Sequence, residues 1–280
     1  MATGHIFITK SSGEKVEFSL DKIKASLRRT GADDPLIEKI LATLADEVYD
    51  GITTGEVYNR AYAMLKQARS VLASRYKLKR AIYELGPTGF PFEKFIAAIL
   101  QYSGYHTETG VVIAGKCVHH EVDVLARKNG TVTPIECKFH GQQGINCNVK
   151  VPLYIYSRYT DILENWKKED QLQPVWVATN TRFTKDAIEY GHCRGMYLLS
   201  WDLPEGDSLK ERIDRLGLYP ITASSLLTSR DKNYLLEKGV VLCRDLMKES
   251  FYLDHAGISE SRQKRILDEM HKLCQCGNHL

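Results

Sequence analysis

Long apolar runs are missing from this chain. None reaches the length that spans a bilayer, and no charged-then-apolar segment opens it, so a membrane or secretory destination is not indicated. A disulfide framework is missing too. The seven cysteines are odd in number and scattered, which fits the reducing cytoplasm rather than a secreted scaffold. Excess charge of either sign is also absent. Lys and Arg total 38 against 35 Asp and Glu, and a net charge of +3 does not by itself announce a nucleic-acid binder. No long internal repeat or low-complexity tract interrupts the 280 residues, whose 43% hydrophobic content is ordinary for a globular chain of two or three domains. The tail Cys274-Gln275-Cys276-Gly277-Asn278-His279 resembles half of a zinc site, but no second Cys or His pair has matching spacing.

What is present centres on His119 to Ala126 and Thr133 to Phe139. Both stretches read as strands, joined at Asn129-Gly130, a strong hairpin turn signal. Alternation places Ile135, Cys137 and Phe139 on one face and Glu136 and Lys138 on the other. In the first strand it places Val122 and Val124 opposite Glu121 and Asp123. One polar face then carries Asp123, Glu136 and Lys138. Two carboxylates suit a hard divalent cation, which polarises a phosphate and activates water, with the lysine orienting that water or neutralising developing charge. The same residues also suit a plain ion pair on a solvated sheet face.

The context resembles the PD-(D/E)xK nucleases, most closely the Mrr-like restriction endonucleases and archaeal Holliday-junction resolvases. Those families place a Phe-Glu-x-x-aliphatic helix before the sheet, and this chain has Gly89-Phe90-Pro91-Phe92-Glu93-Lys94-Phe95 to Leu100, then Gly104-Tyr105. The resemblance, over about residues 88 to 200, implies Asp123 and Glu136 as ligands of Mg²⁺ or Mn²⁺, Glu93 as a helix carboxylate of the site, and Lys138 as the catalytic lysine. Whether His119, His120 or Glu121 also touches the metal stays open.

Upstream, residues 5 to 18 read as a hairpin turning at Ser12-Gly13, followed by amphipathic helices from Ser19, Leu36 and Thr54, with Thr54 and its neighbours as the N-cap. Gly86-Pro87-Thr88-Gly89 reads as a linker. Residues 3 to 85 resemble the ATP-cone, a nucleotide-sensing domain of ribonucleotide reductases and of the repressor of their genes. The resemblance rests on Ile8-Thr9-Lys10-Ser11-Ser12-Gly13, Phe18 to Ile23, Tyr49 to Thr54 and the basic-aromatic end Arg75-Tyr76 to Tyr83. It implies ATP or dATP as regulatory ligand, with Lys10 and Lys22 on phosphate and Thr54 and Tyr58 near base or ribose. The family often has Lys-Arg at Lys10-Ser11 and His at Tyr58. A cone that serves only structure or oligomerisation is the alternative. The basic run Arg60, Lys66, Arg69, Arg75, Lys77, Lys79, Arg80 reads equally as a solvated helix face or a phosphate-binding one.

Downstream, a helix is expected over about 151 to 168, with Ile155, Tyr159, Ile162, Leu163 and Trp166 on one side. A strand follows at 173 to 179, a helix from Phe183 to Tyr190 and a strand at 195 to 200. Gln142, Gln143, Lys150, Arg158 and Arg182 are either groove-lining or ordinary loop and surface residues. From Ile221 the pattern is helical. The turns Lys238-Gly239-Val240 and His255 to Ser259 give it a helix-hairpin-helix likeness, in which backbone N–H groups meet phosphates; a packing or dimerisation module is the alternative.

The expected architecture is α/β: a restriction-endonuclease-like mixed sheet flanked by helices, at 87–204. An N-terminal, mostly helical ATP-cone occupies 1–86 and a small helical domain 205–280. The expected activity is Mg²⁺-dependent cleavage of DNA in the cytoplasm by a homodimer or higher homo-oligomer, controlled by adenine nucleotide, with no membrane partner. Two alternatives stand beside it: a nucleotide-responsive DNA-binding or assembly protein with a vestigial site, and a junction resolvase.

Overall fold

A computed structural model describes residues 6–10 and 13–275. Ser11 and Ser12 of the expected hairpin turn, His5 before it, and Cys276 to His279 of the cysteine-rich tail lie outside the described residues.

Strands β1 (Phe7–Thr9) and β2 (Lys15–Glu17) pair antiparallel. Thr9 N donates to the Ile52 carbonyl at 2.9 Å, so this hairpin leans on the loop before α3. Helices α1 (Leu20–Arg29), α2 (Asp34–Glu47), α3 (Thr54–Ala68), α4 (Ser70–Tyr76) and α5 (Leu78–Tyr83) follow. Each start has a local cause. Asp33 caps α2 by accepting from Leu36 N, and Pro35 sits in its first turn. Ile37, Ile40, Leu41 and Leu44 then recur at helical spacing and are buried. The cap of α3 is Thr53 rather than Thr54. Thr53 forms a reciprocal capping box with Glu56, and the acidic residue three positions on decides which threonine takes the cap.

The central layer is a six-stranded mixed sheet. Along it run β3 (His106–Ala114), β4 (His119–Lys128), β5 (Thr131–Lys138), β7 (Trp176–Thr179) and β8 (Tyr197–Leu199), while β6 (Gln171–Leu172) pairs with β5 off that path. β3, β4 and β5 are antiparallel neighbours, and β5, β7 and β8 run parallel. Asn129 and Gly130 turn β4 into β5 with φ of 50° and 72°, the pair of positive values that a tight two-residue turn needs. α6 (Phe90–Tyr102) precedes the sheet, α7 (Lys150–Glu164) crosses between β5 and β6, and α8 (Lys185–Cys193) links β7 to β8. α7 is shorter than expected. Leu163 is exposed at its end and Trp166 lies beyond it.

The chain closes with α9 (Leu209–Leu216), a short 3-10 turn at Ile221–Ala223, α10 (Ser229–Glu237), α11 (Cys243–Lys248), α12 (Phe251–His255) and α13 (Glu260–Cys274). α9 lies within the expected helical domain of 205–280 but ahead of Ile221, from which the pattern reads as helical. These helices do not hold a separate core. Leu235, Leu246, Ile266 and Leu273 belong to the same buried cluster as Phe92, Phe95 and Ile99 of α6 and Ile82 of α5. A second cluster, with Leu27, Ile40, Leu44 and Leu65, serves the N-terminal unit. Among the described residues no helix is long and apolar enough to cross a membrane.

Candidate active site

α6 brings Glu93 to the sheet. Pro91 starts the helix, and Phe92, Phe95, Ile96 and Ile99 bury one stripe of it. That burial leaves Glu93 half-covered on the flank, with Oε1 only 3.1 Å from where a Cβ on Gly89 would lie.

β4 brings Asp123, by an irregularity that alternation alone does not foresee. Val124 and Ala126 pack with Ile135 and α6, whereas Val122 packs with Leu125 and with Ile162 of α7. Val122 and Val124 therefore do not share a face. The β3–β4 ladder has no partner pair between Thr109↔Val124 and Val111↔Val122, where Gly110 has φ of 65°. Pairing with β5 stops at Val124↔Ile135. Beyond that point Cys137 N donates to Asp123 Oδ2 at 2.7 Å, so the aspartate side chain replaces a ladder bond. Its carboxylate is thereby held against the backbone between Glu136 and Lys138.

β5 carries the other two residues as alternation predicts: Ile135, Cys137 and Phe139 go to the core, and Glu136 and Lys138 turn the other way. Two buried residues, the last of β7 and the one after it, anchor the end of β5. Thr179 Oγ1 donates to the Lys138 carbonyl at 2.7 Å, and Asn180 exchanges two 2.8 Å bonds with the backbone of His140. Lys138 itself is exposed.

The carboxyls feel one another. Burial pushes Glu136 up to about 7, helped by Asp123 and opposed by Arg158. Burial also pushes Glu93 up to about 7, with Asp123 and Glu121 adding negative charge. Asp123 is raised by burial as well, partly offset by the Cys137 N–H, Arg158 and Lys138. Carboxyls that raise each other in a half-buried recess are a mark of functional sites, although structural clusters do the same.

Arg158 of α7 completes the group. Its Nη1 lies 2.7 Å from Glu136 Oε1, and its Nη2 donates to the Glu121 carbonyl. This residue is neither loop nor groove edge. The legible signal was its spacing, since positions 155, 158 and 162 share a helix face on which Ile155 and Ile162 are buried. A charge in that register needs a buried partner. His120 turns away from the site. Its Nε2 meets Asp161 Oδ2 at 2.7 Å, and Asp161 also accepts from Cys117 N, tying the β3–β4 turn to α7. His119 is exposed, and Glu121 reaches the site through its charge. Among the described residues no group of three or more His, Cys, Asp or Glu could hold a metal ion as it stands. Arg182 pairs with Asp202 at 2.6 Å instead of lining this recess.

The N-terminal unit has its own cavity, of about 240 Å³, on which Lys10, Lys22, Thr54 and Tyr58 all open, with Ile8 and Tyr76 among its apolar walls. Lys10 pairs with Glu14 at 2.9 Å on an exposed surface, which leaves it weakly held. The Tyr58 ring stacks on Tyr76 at 5.0 Å, and burial raises its phenol. Tyr58 Oη is buried without a hydrogen-bond partner.

The basic run is not uniform: Lys66, Arg69 and Arg80 are exposed, whereas Arg75 and Lys77 are tied to backbone carbonyls. Arg75 donates to the carbonyls of Thr30 and Lys272, and Lys77 to that of Thr222. The C-terminal turns likewise differ from expectation. Gly239 N and Val240 N donate back to Leu236 and Leu235, and Gly257 N and Ile258 N to Asp254 and Leu253. These N–H groups close the helices before them and are not available to a phosphate.

The fold is thus a mixed α/β sheet flanked by helices, with a carboxylate–lysine–arginine recess where β4 and β5 stop pairing and a helical region behind it. The family model of the AF1548-like C-terminal region matches residues 219–274. An uncharacterized protein of Archaeoglobus fulgidus is 34% identical over 182 residues, covering 64% of this chain and 99% of that protein. The crystal structure of AF1548, titled a protein of unknown function, superposes with a TM-score of 0.56 at 29% identity, covering 67% of this chain and 98% of that one. The chain belongs to the AF1548-like family.

Proposed function

We propose that this protein is a divalent-cation-dependent endonuclease acting on DNA, with its activity set by an adenine nucleotide in the N-terminal cavity. The observation that carries the nuclease reading is the meeting of Glu93, Asp123 and Glu136 from α6, β4 and β5, each raised by burial and by a neighbouring carboxylate. Such a recess favours a bound cation. Mg²⁺ needs only one or two protein carboxylates, and Asp123 and Glu136 supply hard oxygen donors of that kind. When bound, the ion polarises a phosphate and lowers the pKa of a coordinated water.

The residues divide the work. Asp123, fixed by the Cys137 N–H, and Glu136 hold the ion. Lys138, on an end of β5 that Thr179 anchors, stabilises negative charge as it develops on the phosphate. Glu93, with a proton affinity near neutrality, accepts or relays a proton from water. Exposed aromatics flank the recess: Lys94 lies 4.5 Å over Phe90 and Arg158 5.6 Å over Tyr154, a pairing suited to nucleic acid.

Incubation of supercoiled plasmid and of a four-way junction, with Mg²⁺ and with chelator, tests the reading. Nicking that needs the ion and vanishes in Glu136→Ala supports it, and preference for the junction makes the enzyme a resolvase. A second reading has one observation in its favour. Glu136 already pairs with Arg158, as it would in a DNA-binding or assembly protein whose site no longer cleaves. DNA binding with no cleavage in any divalent ion selects that reading.

Nucleotide control rests on the shared cavity of Lys10, Lys22, Thr54 and Tyr58. The lysines act as point charges for phosphate, and the Tyr58–Tyr76 stack offers an aromatic wall to a base. Calorimetry with ATP and dATP, on wild type and Lys22→Ala, tests it. Absence of binding at millimolar nucleotide reduces the cone to a structural unit.

A further inference from the structure

A second cavity, of about 340 Å³, lies between the N-terminal unit and the C-terminal helices. Its lining includes Tyr58 and Tyr62 of α3, Lys77, Arg80 and Glu84 around α5, and Lys232 of α10. Three cations here face one carboxylate. Lys77 Nζ is 2.7 Å and Lys232 Nζ 3.4 Å from the same oxygen, Glu84 Oε2, while Arg80 Nε is 3.6 Å from Oε1. Both lysines also donate to one carbonyl, that of Thr222, at 3.2 and 2.8 Å. Crowding of two ammonium groups on two acceptors shows in Lys232, which burial and the charge of Lys77 push down to about 8. Two further carboxylates nearby are taken: Glu269 by the hydroxyls of Ser74, Ser224 and Ser225, and Asp231 by Thr228 N and Arg262. The unpartnered hydroxyl of Tyr58 belongs to a residue on this lining too. A buried hydroxyl without a partner is rare in folded proteins and marks a place where a ligand or water belongs.

The two lysines are recessed, with side chains only 12% and 10% exposed, and the half-exposed Arg80 stands at the mouth. A phosphate on a rigid duplex does not reach so deep, whereas the phosphate of a small molecule does, and the volume falls in the range of small-ligand sites. We propose that this cavity binds a small phosphorylated molecule, its phosphate held by Lys77, Arg80, Lys232 and the Tyr58 hydroxyl, and so bridges the N-terminal unit to the C-terminal helices. The site is separate from the one that Lys10 and Lys22 line, and Tyr58 is the wall between them.

Pyrophosphate is the probe, and calorimetry on the full chain is the readout. Because pyrophosphate also suits the cavity of Lys10 and Lys22, the measurement uses Lys22→Ala, an exposed position in the other cavity. Pyrophosphate should bind this variant, and its affinity should fall roughly tenfold or more when Arg80→Gln or Lys232→Gln is added, since each removes one charge-assisted contact. Arg80 is half-exposed, so its replacement leaves the fold intact, and circular dichroism checks the Lys232 variant. No pyrophosphate binding by Lys22→Ala, or undiminished binding in the Lys22→Ala/Arg80→Gln double variant, overturns the proposal. Neither outcome depends on whether the protein cleaves DNA.

Discussion

Glu93→Gln should stabilise the cation-free protein above neutral pH and leave it unchanged in acid. Glu93 titrates near 7 in the folded chain against an ordinary value of 4.5, because it is half-buried beside Asp123 and Glu121. Below about 4.5 it is protonated both folded and unfolded, so it contributes nothing to the pH dependence. As the pH rises from 4.5 toward 7 the unfolded chain loses this proton first, and folding is penalised. Above 7 the penalty is complete. A carboxyl displaced from 4.5 to about 7 costs about 3 kcal/mol when ionised, and partial exposure reduces that to about 1–2 kcal/mol. Glutamine keeps the shape and removes the charge. Urea denaturation of wild type and variant at pH 4 and pH 8, with chelator, reads the effect directly. The expected gain of about 1–2 kcal/mol appears only at pH 8. An equal change at both pH values refutes the electrostatic account, as does destabilisation at pH 8. Saturating Mg²⁺ should stabilise wild type by more than it stabilises Glu136→Gln.

Arg158→Ala removes the cation that opposes the rise of Glu136, so that carboxyl titrates above 7 and the acidic limb of the plasmid-nicking pH profile moves to higher pH; an unmoved limb shows that Glu136 ionisation does not govern the rate. Glu269→Ala leaves the hydroxyls of Ser74, Ser224 and Ser225 unpaired in a buried seam, and the chain should lose about 3 kcal/mol in denaturant, against no change if water replaces the carboxylate freely. Deleting residues 221–273 should unfold the α6 region rather than merely weaken DNA binding, because Leu235, Leu246 and Ile266 share its core; a truncation with a native-like thermal transition contradicts this. Gly86→Ala would set a Cβ 2.8 Å from the Phe139 ring, one residue after Lys138, and should lower nicking while sparing nucleotide binding measured by calorimetry.

Strands β4, β5, β7 and β8 were legible because each has a local signal. Asn129-Gly130 fixed the β4–β5 turn, and the β-branched run 175–179 marked a buried strand. Glu136 and Lys138 followed from period two. Asp123 was named from its motif, but the single face expected for Val122 and Val124 failed, because the break in pairing at Gly110 lies on the neighbouring strand β3, where pattern reading along β4 cannot see it. Arg158 was named but not assigned, since its partner Glu136 lies 22 positions earlier and only the packing of α7 on the sheet joins them. The cap at Thr53 was hidden by an equally good threonine beside it, until Glu56 is counted. Lys10, Lys22, Thr54 and Tyr58, which the ATP-cone resemblance sets around one ligand, line one cavity. The shared core was illegible. Apolar helix faces at 78–85 and 235–273 state that they are buried, not against what.

That shared core changes how a signal from the N-terminal unit would travel. The linker at 86–89 is one route to Glu93. Two others are built in. Through the core, Leu78, Ile82 and Leu85 of the α5 region pack in the cluster that holds Phe92 and Phe95, the residues flanking Glu93 on α6. Through the seam, Ser74 meets Glu269, Arg75 meets Lys272, and Thr222 Oγ1 donates to the Ala81 carbonyl at 2.7 Å. α4 and α5 are therefore held between the cavity of Lys10 and Lys22, by way of Tyr76, and both the helical region and α6. A ligand shifts such an arrangement only if it binds one placement of α4 and α5 more tightly than another. Tyr58 meets that requirement best. It lines both cavities, its hydroxyl lacks a partner and its ring stacks on Tyr76 of α4, so a ligand in either cavity that draws on this hydroxyl would act on the residue that touches α4.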